Sequence, residues 1–151
     1  MSLALDAFSQ PSSKVVGVGH SIGAATLLAL VGAQMCLGPN RCVKITPDSR
    51  LTRLALLAPP TGFFQAPGAL DAVKIPILTW VGSEDQITPP SQSEWLAQAM
   101  SARQIVDIRV TDGAGHFSFM DLTPPNTTEP LSNKYQFIQE YSSEVATFVA
   151  S

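Results

Sequence analysis

Charge, histidine and cysteine are all scarce in this chain. Of 151 residues, 9 are Lys or Arg and 12 are Asp or Glu, which leaves a net charge of −3. So thin a basic complement offers no electrostatic footprint for nucleic acid. The 2 histidines and 2 cysteines are too few and too scattered for a metal-ligand set, so no metal or other cofactor is expected. No apolar run approaches the ~18 residues of a membrane span. The opening residues, Met1-Ser2-Leu3-Ala4-Leu5-Asp6, carry neither a basic region nor a long apolar stretch, so no secretory leader is expected. Cytoplasmic placement is the expectation for this chain, with a secreted parent as the alternative. The remaining composition, 45% hydrophobic, suits one soluble globular domain over residues 1–151.

The two cysteines, Cys36 and Cys42, flank Leu37-Gly38-Pro39-Asn40-Arg41. Gly-Pro-Asn favours a turn that could bring the thiols together as a small disulfide, a feature of oxidising compartments. Two free thiols are the alternative. Asn126-Thr127-Thr128 matches a glycosylation acceptor, a tripeptide frequent by chance.

The strongest pattern is Gly19-His20-Ser21-Ile22-Gly23, set between an apolar run at Val15-Val16-Gly17-Val18 and a small, helix-like run at residues 24–30. A strand, a sharp turn carrying serine and a helix make a nucleophile elbow. Glycines two residues either side let strand and helix approach. The turn lifts the Ser21 hydroxyl out of the sheet and aims the Ile22 N–H at the place where an oxyanion would form.

Serine needs a base, and the base needs an orienting partner. His20 lies beside the serine, badly placed to act as base, which leaves His116 in Asp112-Gly113-Ala114-Gly115-His116-Phe117. The acid is expected between serine and histidine in the chain. Ile77-Leu78-Thr79-Trp80-Val81 reads as a buried strand running out into Gly82-Ser83-Glu84-Asp85, so a carboxylate emerges at the strand's C-terminal end, where α/β sheets hold their sites. Asp85 is the choice, Glu84 the fallback. Asp112 is a weaker rival because it stands too near His116 in sequence.

These three motifs resemble the elbow, acid turn and histidine loop of the α/β-hydrolase family, in the same chain order. The resemblance runs from about Lys14 to Ser151 and covers roughly the second half of the family fold. Residues 115–119, Gly-His-Phe-Ser-Phe, are similar to dienelactone-hydrolase-like and platelet-activating-factor-acetylhydrolase-like members. Dienelactone hydrolases proper carry cysteine as nucleophile, so Ser21 implies serine esterase chemistry. The fold implied is a parallel sheet in a three-layer sandwich that lacks the family's N-terminal strands. With them goes the loop that supplies the second oxyanion N–H.

Strands are expected at about 14–18, 51–57, 77–81 and 105–110, and helices at about 22–35, 91–100 and 133–149. Leu3 to Phe8 is apolar enough to pack as part of a helix. On the last helix, Tyr135, Ile138, Tyr141, Val145 and Phe148 fall on one face. Phe63, Phe64, Ile87 and Phe117, with Phe119 and Met120, are expected near the C-terminal edge of the sheet as an apolar wall for an uncharged ester. Val15, Val16 and Val18 would form an unpaired apolar strand edge, which invites a homodimer.

Overall fold

The computed structural model describes residues 2–38, 41–43, 45–102 and 106–151. Pro39 and Asn40 of the expected turn and Ile105 of the expected last strand lie outside the described residues.

Four parallel strands form the sheet. They are β1 (Val15–His20), β4 (Leu51–Leu57), β5 (Ile77–Gly82) and β6 (Val106–Thr111), side by side in that order. Helices α2 (Ile22–Leu30) and α3 (Pro90–Met100) connect strands, and α4 (Lys134–Ala150) closes the chain. The strands are apolar because the sheet is covered on both faces. Along β4, Leu54 and Leu56 join a core with Leu27, Leu28, Leu96 and Met100 of α2 and α3. Ala55 and Leu57 point the other way and pack with Trp80, Phe119, Phe137 and Val145. Period-two alternation thus sends neighbouring residues into two separate cores. Each fully buried leucine contributes roughly 1.5–3 kcal/mol.

Strand β1 stands at the sheet edge, pairing only with β4 among the described strands, and Val18 on it is 52% exposed. A second, antiparallel pair joins β2 (Met35–Cys36) to β3 (Cys42–Val43), with Cys36 opposite Cys42 and bonded to it as a disulfide.

Three sequence expectations are corrected. Helix α2 stops at Leu30 rather than Met35. Gly32 adopts φ 110°, its N–H bonds to Ala29 O, and Ala33 N–H bonds to Leu28 O. That is a Schellman end, and it turns the chain out of the helix five residues early. Helix α1 (Ser2–Phe8) forms but buries nothing, with Leu3 and Phe8 83% and 91% exposed. At seven residues it is too short to hold itself by propensity, and its attachment is polar, through Asp6 to Arg50 at 2.8 Å. On α4 the inward stripe is Phe137 and Val145, which are buried, with Tyr141 and Phe148 half-buried beside them, spaced by four, four and three. Tyr135 falls outside this stripe and is solvent-exposed.

Candidate active site

Three loops leave the C-terminal ends of strands in the one parallel sheet. Ser21 follows β1, Asp85 follows β5 and His116 follows β6. Parallel strands carry all three side chains to one edge of the sheet, where sites of this architecture form.

Ser21 is the single residue between β1 and α2. Its φ of 53° and ψ of −124° are outside the ordinary range for a residue with a side chain. The turn is held from both sides: Ser21 N–H donates to Leu57 O at 2.9 Å, and Ser21 O accepts Ala24 N–H at 2.9 Å. The two glycines of the motif are not equivalent. A methyl group on Gly19 would stand 2.8 Å from Leu27 Cδ1 and 2.9 Å from Ala24 N, whereas one on Gly23 would meet nothing within 4 Å. Close approach of strand and helix therefore explains Gly19 and does not explain Gly23.

Asp85 is buried and its carboxylate is fully engaged. Oδ1 accepts the N–H groups of Ile87 at 2.9 Å and Thr88 at 2.7 Å. Oδ2 lies 2.8 Å from His116 Nδ1 and accepts the Thr88 hydroxyl at 2.8 Å. Burial opposes ionisation of Asp85, but the bonds from His116 and Thr88 outweigh it and hold the carboxyl below its ordinary pKa. Glu84 is exposed, and Asp112 turns to the Ser83 hydroxyl at 3.3 Å; neither meets the histidine.

His116 opens a single 3-10 turn, His116–Phe119, and is buried. Its Nε2 is 2.9 Å from Ser21 Oγ, so the one ring joins the hydroxyl to the Asp85 carboxylate. Because a carboxylate only accepts, Nδ1 carries the proton and the Nε2 lone pair faces the serine.

Three supports of this ring had a weak sequence signal or none. Thr88 reaches Asp85, Ala58 O at 3.1 Å and His116 Nδ1 at 3.1 Å. Beneath the turn, Ser118 Oγ accepts Gly115 N–H at 2.9 Å and donates to Glu129 Oε1 at 2.5 Å. Glu129 pairs in turn with Lys134 at 3.2 Å. The third is His20, whose Nε2 lies 2.8 Å from the His116 carbonyl oxygen. A threonine three residues after the acid and an acidic residue thirteen after the histidine follow no periodicity that the sequence displays.

Ile22 N–H is the first of α2 and meets no acceptor among the described residues. Beside His116 opens a cavity of about 370 Å³, lined by Ile87 and Phe117 together with Glu84, Gln86 and the 127–130 loop. Its lining contains no Lys or Arg. The expected apolar wall divides. Ile87 and Phe117 line this cavity, Phe63 lines a separate groove beside the disulfide, and Phe64 is 1% exposed within the core. Phe119 is buried in the core on the other side of the sheet. In Thr61–Phe64 the 3-10 turn sends consecutive aromatics in different directions, and proximity in sequence does not make them one surface.

Among the described residues, no cluster of three or more His, Cys, Asp or Glu is arranged to hold a metal ion. No described helix is long and apolar enough to cross a membrane.

No family model matches the chain, and no curated protein matches it in sequence. Solved structures do match. A protein of unknown function from Agrobacterium tumefaciens, a candidate α/β hydrolase, superposes with a TM-score of 0.60 at 15% identity, over 92% of this chain and 52% of that one. Esterase 2 of Thermogutta terrifontis gives 0.58 at 17% identity, over 89% and 54%. The esterase domain of a Rhodothermus marinus protein gives 0.54 at 21% identity, over 91% and 59%. The chain spans about half the length of these structures. Likeness at such identities speaks to fold, since one fold hosts many chemistries. The parallel sheet covered by helices on both faces is an α/β-hydrolase fold, here over about half the length it has in those neighbours.

Proposed function

We propose that this chain is the catalytic half of a serine hydrolase that cleaves carboxylic esters. Ser21 is the nucleophile, His116 the general base and acid, and Asp85 the group that orients His116. The observation that carries this reading is the single imidazole within hydrogen-bond distance of both Ser21 Oγ, at 2.9 Å, and Asp85 Oδ2, at 2.8 Å.

In the reaction His116 Nε2 takes the Ser21 proton as the oxygen attacks the ester carbonyl. Asp85 stabilises the imidazolium that results. The leaving alcohol receives the proton from His116, and Ser21 keeps the acyl group. Water, deprotonated by the same nitrogen, then releases the acid. Ile22 N–H and the N-terminus of α2 stabilise the oxyanion. A hole with one donor removed loses about 10²–10³ in turnover, so a second donor from outside this chain would raise the rate by that order. Ile87 and Phe117, in a cavity lining without Lys or Arg, favour an uncharged acyl ester over an anionic one. The narrower form of the proposal, a dienelactone-hydrolase-like serine esterase, rests on residues 115–119. Thioesters, acceptor alcohols and peroxide would enter through the same acyl-enzyme and belong in the substrate panel.

Labelling with a fluorophosphonate probe tests the reading. Stoichiometric labelling of the chain that disappears in Ser21→Ala and in His116→Ala is the expected result. A folded chain that does not label overturns it.

The edge strand favours a second reading, a binding module, and an assembly. An exposed Val18 on a strand whose outer edge has no neighbour among the described strands supports a homodimer through β1. Light scattering that finds only monomer counts against it. The Cys36–Cys42 disulfide favours an oxidising compartment over the cytoplasm.

A further inference from the structure

The residue before the nucleophile reaches the backbone of the base. His20 closes β1, pairing with Leu57, and Ser21 N–H bonds to Leu57 O. From this fixed position the His20 ring projects over the turn that carries His116. Its Nε2 lies 2.8 Å from His116 O. A carbonyl oxygen has no proton to give, so His20 Nε2–H is the donor. Three aromatic rings of that one turn surround it, His116 at 4.8 Å, Phe119 at 6.2 Å and Phe117 at 6.5 Å between centroids. Burial is the main cause that lowers the pKa of His20, partly offset by the bond to the carbonyl. A neutral ring keeps that single donor.

A short closed circuit results. Ser21 is bonded covalently to His20, His20 holds the His116 backbone, and the His116 side chain returns to Ser21 at 2.9 Å. No sheet or helix intervenes. Without the tether, the His116 ring would still be held by Asp85 and Thr88, but no bond would fix its main chain directly to the segment that carries Ser21.

We infer that His20 is a positioning residue: its Nε2–H grips the main chain of His116 and sets the distance and direction of the imidazole relative to Ser21. The inference rests on the proposed hydrolase reading for its kinetic consequence, but the geometric claim stands apart from it. Misplacement by about 1 Å costs of order 10²-fold in rate.

Three variants of the full chain test this. His20→Phe fills the space without a donor, His20→Leu does so without a ring, and His20→Gln restores a side-chain N–H. Circular dichroism identifies the folded variants. In those, the second-order rate of fluorophosphonate labelling is expected to fall about 10- to 100-fold for Phe or Leu and to return to within about threefold for Gln. Wild-type rates in the donor-less variants overturn the inference, as does a Gln variant as slow as they are.

A second readout needs no reaction. The 15N shift of His116 Nε2 reports its hydrogen bond to Ser21 Oγ. The wild type and His20→Gln should share one Nε2 shift, and the donor-less variants should move toward that of a ring nitrogen without the serine. One shift in all of them overturns the tether. Should the wild type fail to label, the hydrolase reading falls by itself, and the nitrogen shifts still decide the role of His20.

Discussion

A methyl group built on the α-carbon of Gly82 would stand 2.0 Å from the carbonyl oxygen of Ala114 and 2.4 Å from its carbonyl carbon. The nearest atoms of the histidine loop to the end of β5 are main-chain ones there. Bonds continue the seam: Ser83 N–H to Thr111 O at 2.9 Å, Glu84 N–H to Ala114 O at 2.9 Å, and Gly113 N–H to Ser83 Oγ at 2.9 Å. Asp85 and His116 emerge from its two sides. Gly82→Ala must push the loop away, because backbone cannot yield as a side-chain tip can. Overpacking of this kind typically costs about 1–3 kcal/mol. Urea unfolding should show a loss of that size, and labelling of Ser21 should slow at least about tenfold, since His116 moves with the loop. Unchanged values in both would contradict the seam as a positioning contact.

Strain at Ser21 gives a prediction of opposite sign. A side chain at φ 53° and ψ −124° costs of order 1–3 kcal/mol, which the surrounding bonds must hold. Glycine adopts such angles freely, and alanine does not. Ser21→Gly should therefore be more stable than Ser21→Ala by about 1–2 kcal/mol, although both lack the hydroxyl. Paired denaturation curves decide it. Equal stabilities would mean that the elbow is relaxed.

The pattern of residues 19–23 foretold the elbow because strand, sharp turn and helix each have a local cause in the sequence. The four strands were legible for the same reason, as apolar runs bounded by turn residues. What failed depended on other parts of the chain. The end of α2 was marked by Gly32, but Gly-Pro further on was the louder signal. Tyr135 and Phe137 are both aromatic and two residues apart, and the position of α4 over Trp80 and Phe119 selects Phe137. Phe63 and Phe64 were separated by the direction of one turn. Thr88, Glu129 and His20 were invisible as supports because no spacing rule connects them to the groups they hold, whether near in sequence, as Asp85 is to Thr88, or far, as His116 is from His20.

Asp48 and Arg50 supply a pH dependence. Asp48 sits in the turn that leads into β4, and its carboxylate takes Arg50 Nε at 2.8 Å and Nη2 at 2.5 Å. The guanidinium holds the Asp48 pKa at about 2, below its ordinary 3.8. A carboxyl depressed by folding contributes stability that is fully present above its unfolded value and is lost as pH falls through its folded one. The window is therefore from about pH 4 down to about pH 2. Asp48→Asn should be less stable than the wild type at pH 7, and the difference should shrink through that window. Urea unfolding at pH 7, 4 and 2.5 measures it. A difference independent of pH would assign the effect of Asp48 to packing instead.

Thr88 can be separated from the groups it touches by counting protons. His116 Nδ1–H is committed to Asp85 Oδ2. The Thr88 hydroxyl has one proton for two remaining acceptors, Asp85 Oδ2 at 2.8 Å and Ala58 O at 3.1 Å. A hydrogen bond to a charged group contributes about 1.5–3 kcal/mol, and valine keeps the shape of threonine while removing it. In Thr88→Val the Asp85 carboxylate loses one of the bonds that offset its burial, so its pKa rises toward the ordinary value. Acid unfolding should then begin at higher pH than in the wild type, and the variant should be less stable at pH 7. Thr88→Ser retains the hydroxyl and should follow the wild type in both. If valine and serine variants share one pH profile, the hydroxyl does not act on Asp85, and the backbone N–H groups of Ile87 and Thr88 suffice to hold it.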